Sequence, residues 1–227
     1  MPCCKLHLFD LSRLEVFLEG LLEDGLAVDV LMSQSTVQER ELWTIREDLP
    51  LCLMQLSRAP RGLASAAGAT VKQCVKLYKY DVSIALRDTD AVVLMIKRQM
   101  EREIKAGGGG VAADIQLEFC CFGHAGDQNL HLNVLLHVSS DPASTLHPGA
   151  DHGHLIKVVQ AMLDRAVFKA VLSVKGSVSA EHGVGQQKRQ VMAAARSPAE
   201  LSLMSAIKRS LDPNGILNPG KLIPDGY

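Results

Sequence analysis

The chain has 227 residues, and its 24 basic and 25 acidic side chains give a net charge of −1 at neutral pH. This balance excludes the strongly positive surface with which proteins bind nucleic acids or anionic membranes, so we expect neither partner. With 47% hydrophobic and 4% aromatic residues over this length, the chain predicts one globular domain, residues 1–227, with an aliphatic core.

The first fifty or so residues predict two helices. Ser12–Glu15 has the pattern of a capping box, in which a hydroxyl and a carboxylate satisfy the free amides at a helix start, so we expect a helix over 13–24. Gly25 is placed to end this helix. A second capping box at Ser35–Gln38 predicts a longer helix, which Pro50 should kink or interrupt.

The middle of the chain predicts a strand, a helix and another strand. Leu77–Ala85 shows partial alternation of apolar and polar residues, which indicates a strand. Asp88 or Thr89 can cap a helix that runs to Gly107. Ile115–Phe122 then has the composition of a second strand.

The remaining residues predict a strand and two helices. Leu130–His137 alternates with its aliphatic residues on one face, and it should form a hairpin with the strand before it. Residues 138–153 have the composition of a surface loop, and Leu155–Ala170 carries the apolar stripe of a helix. A capping box at Ser197–Glu200 begins the last helix, which Asp212–Gly215 should stop.

The pattern within the strands predicts the fold class. Strands that alternate apolar and polar residues have one face on the core and one face in solvent, which is typical of antiparallel sheets. Parallel strands would be buried on both faces and would be apolar throughout. We therefore expect an α+β fold, in which helices cover an antiparallel β-sheet.

The cysteines and the chain start give no sign of secretion. Six cysteines lie along the chain without the spacing of a zinc ribbon or a CxxC pair, at positions 3, 4, 52, 74, 120 and 121. In a chain of this size they predict reduced, intracellular thiols. No run of about 18 apolar residues is present, and the start has neither a secretory nor a transit pattern. We expect an intracellular protein without a membrane span.

Two histidines and a glutamate could form a metal site. Because side chains alternate along a strand, His131 lies on the face opposite the aliphatic residues, and His124 ends the preceding strand. If residues 125–130 form the connecting loop, a divalent metal could bridge the two imidazoles, and Glu181 supplies a carboxylate. Two histidines and one carboxylate are a recurrent catalytic metal set. An alternative stays open, in which the histidines simply end a hairpin and Glu181 caps a loop.

Five segments resemble a known family. GHAGDQNLHLNV (123–134), SVSAEHGVGQQK (177–188) and LDPNGILNPGK (211–221) are similar to the carboxy-terminal part of the FAD-linked oxidases. Within these, the chain most resembles the D-2-hydroxyglutarate and D-lactate dehydrogenases. ELWTIRED (41–48) and LYKYDVSI (77–84) fit the same family, so the resemblance covers nearly the whole chain. It implies a domain that covers a flavin ring and holds a divalent metal, usually zinc.

The resemblance implies roles for four side chains around this metal. His124, His131 and Glu181 would be the ligands of the divalent metal, Zn²⁺ in the usual case. His182 would be the catalytic acid or base that accepts the proton of the substrate hydroxyl. FAD would receive a hydride from C2 of a small 2-hydroxy acid, which would become the 2-oxo acid.

It also implies further contacts with substrate and cofactor. Arg46 and Lys79 would bind carboxylates, Arg46 through a bidentate fork and Lys79 as a point charge. Asn133 and His182 would contact the substrate, and Asn218 would lie near the flavin. A dicarboxylic substrate would need the two cations at its far end.

The sequence departs from the family pattern at three points. Gln128 replaces a glycine of the usual Gly-Asp-Gly-Asn loop, at a place where the backbone can need a positive φ. Pro50 follows Arg46 where the nearest dehydrogenases carry a hydroxyl residue. No segment resembles the flavin-binding domain, so we expect the chain alone to be incompetent, and to act with a separate FAD-binding domain or to self-associate.

Two other functions stay open. One is an interaction or scaffold protein with a vestigial site, for which actin is a candidate partner because some relatives carry an actin-interacting name. The other is a hydrolase or lyase that uses the metal without flavin. Family members are often mitochondrial, although this chain shows no targeting signal.

Overall fold

The computed structural model describes residues 8–57, 72–107, 115–139 and 152–227. The chain divides into two compact units, of which the first ends at Cys52 and the second begins at Leu53. The single domain expected over residues 1–227 stays a prediction.

Helix α1, Leu8–Glu23, belongs to the first unit. It ends as predicted at Gly25, whose φ of 65° is the left-handed conformation that commonly follows a helix. The prediction that Ser12 caps this helix is wrong, because the helix already begins at Leu8. Ser12 therefore lies inside the first turns, where the backbone amides have partners within the helix.

Helix α2, Thr36–Leu56, begins at the second predicted cap. The Ser35 hydroxyl accepts a hydrogen bond from the Gln38 N–H at 3.2 Å, whereas the Gln38 side chain accepts from the Gln34 N–H. The capping box is thus formed in its first half. Pro50 lies inside α2 and does not interrupt it, so the helix loses one backbone hydrogen bond there and continues.

The second unit contains the predicted strands and later helices. Its elements are β1 (Lys72–Ser83), α3 (Thr89–Lys105), β2 (Ile115–His124), β3 (Asn129–Ser139), α4 (Gly153–Ser173), α5 (Met192–Ala195) and α6 (Pro198–Leu211). The ends of the predicted loop 138–153 belong to β3 and α4, and residues 140–151 lie outside the described ranges. Within those ranges, no helix combines the length and the apolar character needed to cross a bilayer.

The three strands form one antiparallel sheet in the order β1-β3-β2. β3 is the central strand, and the predicted hairpin of β2 and β3 is confirmed. A 3-10 turn at Ala125–Asp127 joins these two strands. Helices and an antiparallel sheet together confirm the α+β fold class.

One face of the sheet forms the core with α3 and α4. The four aliphatic side chains predicted to share a face of β3 are all buried there: Leu130, Leu132, Val134 and Leu136. Tyr78 and Tyr80 of β1 join them, and Val92 and Val159 are among the residues that the helices contribute. Full burial of one such side chain stabilises the fold by about 1.5–3 kcal/mol, so this face cannot turn outward without a large loss.

Helix α6 has the predicted start and end. Ser197 accepts a hydrogen bond from the Glu200 N–H, and the Glu200 carboxylate accepts one from the Ser197 N–H, so the capping box is complete. The helix ends before Asp212, which accepts the N–H groups of Ile216 and Leu217. The loop that follows α6 is therefore anchored to the end of the helix.

Candidate metal and substrate site

The sheet face opposite the core carries polar side chains. Because side chains alternate along each strand, residues paired across the sheet share a face. Asp81 on β1 lies directly opposite His131 on β3. Lys79 lies opposite Asn133 in the same way. His124, at the end of β2, belongs to this face because it is two residues beyond the β2 partner of His131.

A glycine brings the segment 177–188 to the edge of this sheet. Ser177 and Ser83 exchange two backbone hydrogen bonds, with N–O distances of 3.0 and 2.7 Å, and form an isolated antiparallel bridge. A Cβ atom at Gly176 would lie 2.7 Å from the Ser83 carbonyl oxygen. Any other residue would push the segment away, so Gly176 fixes where it meets β1.

Asp81 holds the backbone of this segment. Its Oδ2 accepts the N–H groups of Ala180, Glu181 and His182 at 3.0, 3.0 and 2.9 Å, and the residue is only 3% exposed. Burial alone would raise the pKa of the Asp81 carboxyl. The hydrogen bonds from the His182 and Glu181 N–H groups outweigh burial, and the pKa lies below its usual value.

The carboxylate of Glu181 lies among three imidazoles. Its Oε1 is 3.2 Å from Nε2 of His131, 3.5 Å from Nε2 of His182 and 4.0 Å from Nε2 of His124. The His131 ring centre lies 5.5 Å from each of the other two, stacked on His182 and edge-on to His124. The structure thus brings together the four side chains predicted for metal binding and proton transfer, and their roles stay predictions.

The distances within this cluster fit a divalent metal. Two atoms bound to one metal at about 2.0–2.2 Å lie about 3.0–3.6 Å apart, depending on the geometry. The separations of Glu181 Oε1 from His131 and His182 fall in this range, and that from His124 is slightly longer. Ligand atoms of Asp81, His131, Glu181 and His182 also lie within 4.8 Å of one another. This group contains His182 and does not contain His124, whose Nε2 is the farthest of the three from Glu181 Oε1, at 4.0 Å.

The cluster is open on one side and closed on the other. The Glu181 and His124 side chains are 48% and 39% exposed, whereas the Asp81 side chain is 2% exposed. A small molecule can therefore reach Glu181 from solvent, whereas the Asp81 carboxylate is shielded from it. This arrangement leaves room for the open coordination positions that catalytic metal sites keep.

Two predicted substrate residues share the face of the cluster. Lys79 is exposed, and it forms no ion pair with any carboxylate in the described part of the chain. Asn133 is 3% exposed, and its amide donates a hydrogen bond to the His131 carbonyl at 3.2 Å. Lys79 is thus available for an anionic ligand. One N–H of the Asn133 amide is already donated to the backbone of β3.

Two other predicted residues lie elsewhere in the chain. Arg46 belongs to the first unit, where its guanidinium lies 5.7 Å from the centre of the Trp43 ring. Its role in substrate binding stays a prediction. Asn218 has a φ of 48°, and its side-chain oxygen accepts a hydrogen bond from Lys221 at 2.9 Å. Its contact with a flavin also stays a prediction.

Sequence reasoning missed two residues of the site. Asp81 lies in the segment LYKYDVSI, two residues from Lys79, so alternation could have placed it on the same face. Lys188 ends the segment SVSAEHGVGQQK, and its ammonium donates to the Asp81 carbonyl oxygen at 3.3 Å. Burial lowers the pKa of Lys188, and the nearby Asp81 carboxylate opposes this shift.

A family model described as "FAD linked oxidases, C-terminal domain" matches residues 9–222. This range covers most of both units and all the candidate site residues. The expected resemblance is therefore confirmed over almost the whole chain.

Three relatives show how much of a longer protein the chain matches. It is 34% identical over 204 residues to a D-2-hydroxyglutarate dehydrogenase of Stutzerimonas stutzeri, which covers 90% of this chain and 35% of the relative. It is 30% identical over 214 residues to a D-2-hydroxyglutarate–pyruvate transhydrogenase of Saccharomyces cerevisiae, with 94% and 36% covered. A mitochondrial D-2-hydroxyglutarate dehydrogenase of Bos taurus is 32% identical over 215 residues, with 95% and 31% covered. The chain spans about a third of the length of these relatives.

Proposed function

The chain belongs to the family of FAD-linked oxidase C-terminal domains, and on this premise we propose that it is the metal- and substrate-binding domain of a flavin-dependent D-2-hydroxyacid dehydrogenase. The observation that carries the proposal is the convergence of three imidazoles on Oε1 of Glu181. The names of the relatives favour D-2-hydroxyglutarate as the substrate and give no support to D-lactate.

The side chains of the cluster would have two roles in the oxidation, metal binding and proton transfer. His124, His131 and Glu181 would hold a divalent metal, with Zn²⁺ as the first candidate. When bound, the metal supplies Lewis acidity to the substrate oxygens and the flavin supplies the hydride acceptor. His182 would take the hydroxyl proton at a ring nitrogen, since the imidazole lies beside the ligand atoms and is 62% exposed.

Cationic and amide groups would orient the acid. Lys79, on the same sheet face, would bind the far carboxylate of 2-hydroxyglutarate as a point charge. Asn133 would donate the second N–H of its side-chain amide to a substrate carboxylate, because the first is donated to the His131 carbonyl. Arg46 would add a second carboxylate contact, and Asn218 a contact with the flavin. A dicarboxylate held at both ends would present one face of C2 to the flavin.

Oxidation of the substrate would need a flavin, and we propose that residues 1–227 do not bind this flavin by themselves. The matching family model is a carboxy-terminal domain, and hydride transfer requires an acceptor that amino-acid side chains do not provide. A separate FAD-binding domain is therefore the expected partner.

Metal binding by the purified chain tests this proposal. We predict that the wild-type chain binds one divalent metal, and that His131→Ala weakens its Zn²⁺ affinity at least about a hundredfold, because a ligand is removed. Competition with a chromophoric chelator measures the affinity, and elemental analysis gives the stoichiometry.

The matched control is His137→Ala. His137 lies on the same strand as His131, but its ring pairs with Glu118 at 3.0 Å and does not contact Glu181. This variant should bind Zn²⁺ as the wild type does. A wild type without stoichiometric metal, or equal losses in the two variants, would contradict a site at Glu181.

The scaffold alternative has less support. It holds that the site is vestigial and that the chain binds a partner such as actin, yet none of the relatives described above is named for such binding. The same metal measurement separates the two functions, because a vestigial site need not bind a stoichiometric ion. An intracellular location stays a prediction, and the Bos taurus relative is named mitochondrial.

A further inference from the structure

Asp81 uses its two carboxylate oxygens unequally. Oδ2 accepts the N–H groups of Ala180, Glu181 and His182, whereas Oδ1 is buried without a hydrogen-bond partner among the described residues. A buried acceptor that has lost water and gained no donor is uncommon in folded proteins. Nδ1 of His131 lies 3.9 Å from this oxygen, on the residue directly opposite Asp81.

We propose that Asp81 is a positioning residue for the site. Its Oδ2 fixes the backbone that carries Glu181 and His182, and its Oδ1 holds a proton on Nδ1 of His131. The Nε2 atom of His131 then keeps its lone pair towards Oε1 of Glu181. This inference rests on the proposed metal site and extends it to a residue that touches neither substrate nor reacting atoms.

The geometry is close to what this role requires. Shortening the 3.9 Å separation by about 1 Å would give the usual N–H···O distance of about 2.9 Å. The two residues are direct partners in the β1–β3 ladder, so rotation of the side chains can provide this approach. Histidines that bind metals commonly donate their second ring N–H to a carboxylate, which fixes the tautomer.

Two carboxylates compete for the single ring proton of neutral His131. Glu181 is 3.2 Å from Nε2, and a proton held there would remove the lone pair that a metal needs. The Asp81 side chain is 2% exposed and the Glu181 side chain 48%. A hydrogen bond to Asp81 forms where the dielectric is low and is therefore stronger, while water can satisfy Glu181.

The tautomer of His131 is the direct measurement. We expect long-range ¹H–¹⁵N spectra of the ¹⁵N-histidine-labelled chain, at alkaline pH and without metal, to show the His131 proton on Nδ1. In Asp81→Asn the amide group can face the ring, so the proton should move to Nε2. Asp164→Asn is the matched control, because Asp164 accepts hydrogen bonds from Tyr80 and Gln160 away from the cluster. It should keep the wild-type tautomer.

Metal affinity gives a second readout. Asp81→Asn should weaken Zn²⁺ binding about 10–100-fold, as loss of a partner behind a ligand usually does, and Asp164→Asn should leave it unchanged. Complete loss of Zn²⁺ with an unchanged tautomer would make Asp81 a direct ligand and overturn the positioning role. A wild type that binds no Zn²⁺ would refute the proposed function, while the tautomer would still decide the role of Asp81.

The wild type alone can overturn the inference if Asp81→Asn does not fold. Circular dichroism and thermal unfolding show whether the variant is native. A wild-type spectrum with the His131 proton on Nε2 would contradict the inference, and a proton on Nδ1 would support it.

Discussion

Gln128 has a left-handed backbone conformation, with φ 56° and ψ 25°, in the turn between the two histidine-bearing strands. This conformation costs an L-residue about 1–2 kcal/mol, because the Cβ atom crowds its own backbone. Glycine avoids that cost but loses about 0.5–1 kcal/mol more in backbone entropy. We predict that Gln128→Gly raises the free energy of unfolding by about 0.5–1 kcal/mol, as measured by urea denaturation.

Gln128→Ala is the matched control, because it removes the side chain and keeps the Cβ atom. It should leave the free energy of unfolding within about 0.5 kcal/mol of the wild type. Both variants keep the hydrogen bond from the Ile84 N–H to the carbonyl of residue 128, which is 3.0 Å long. Equal stabilisation by alanine and glycine would show that side-chain loss, and not φ, is the cause.

The residues of the site differ in how well the sequence could reveal them. His124, His131 and Glu181 stand in short segments rich in small residues, and this made them visible. Asp81 stands in no such segment; alternation places it on the face of Lys79, but an acidic residue in a strand usually faces solvent and its burial was not expected. Its role depends on which strand pairs with β1, and the alternation within β1 does not predict that partner.

Among the strands, too, some features could be predicted from the sequence and others could not. Alternation in β3 predicted which side chains face the core, since only one register buries four aliphatic residues. The short turn predicted the pairing of β2 with β3. The pairing of β1 with β3 could not be predicted, because α3 and β2 separate these strands along the chain. That pairing is what places Asp81 opposite His131.

The end of helix α6 provides a prediction about Asp212. Its carboxylate accepts the N–H groups of Ile216 and Leu217 at 3.1 and 2.9 Å and pairs with the Lys208 ammonium. Lys208 lowers the pKa of Asp212 most, burial opposes the shift, and the two N–H groups add to it. We predict that Asp212→Asn lowers the free energy of unfolding at neutral pH, measured by urea denaturation.

The loss of stability caused by Asp212→Asn should become smaller as the pH falls. A carboxyl whose pKa is lowered by folding stabilises the protein fully above its unfolded pKa of about 3.9, and this stability is lost as the pH falls through the folded pKa. The difference between wild type and variant should therefore narrow below about pH 4. Asp225→Asn is the control with little expected effect, because the Asp225 side chain that pairs with Arg189 is 71% exposed. A difference that persists at about pH 2 would contradict the assignment to charge.

In the second unit, packing and chemistry lie on opposite faces of one sheet. Helices α3 and α4 cover the aliphatic face, and the cluster around Glu181 lies on the other. A slip of one residue in β3 would exchange the faces, so the burial of the core also fixes the direction of His131. The groups that could handle a substrate thus point away from the core of their own unit.

The chemistry of these groups predicts binding without turnover. In the proposed roles the cluster would hold a metal, orient an acid and accept a proton, but no side chain in it can accept a hydride. We predict that purified residues 1–227, loaded with Zn²⁺, bind D-2-hydroxyglutarate and do not oxidise it. Calorimetry measures the binding, and reduction of an artificial electron acceptor measures the oxidation.

Lys79 gives this prediction its specificity. A point charge at the far carboxylate should matter for D-2-hydroxyglutarate and not for D-lactate, which has no second carboxylate. Lys79→Ala should weaken binding of D-2-hydroxyglutarate about tenfold or more and leave that of D-lactate within about twofold, since a charged hydrogen bond contributes about 1.5–3 kcal/mol. Lys76→Ala, exposed on the same strand, should change neither. Equal losses of affinity for both acids would place Lys79 away from the second carboxylate. In the turnover experiment, oxidation without added flavin would contradict the need for a hydride acceptor.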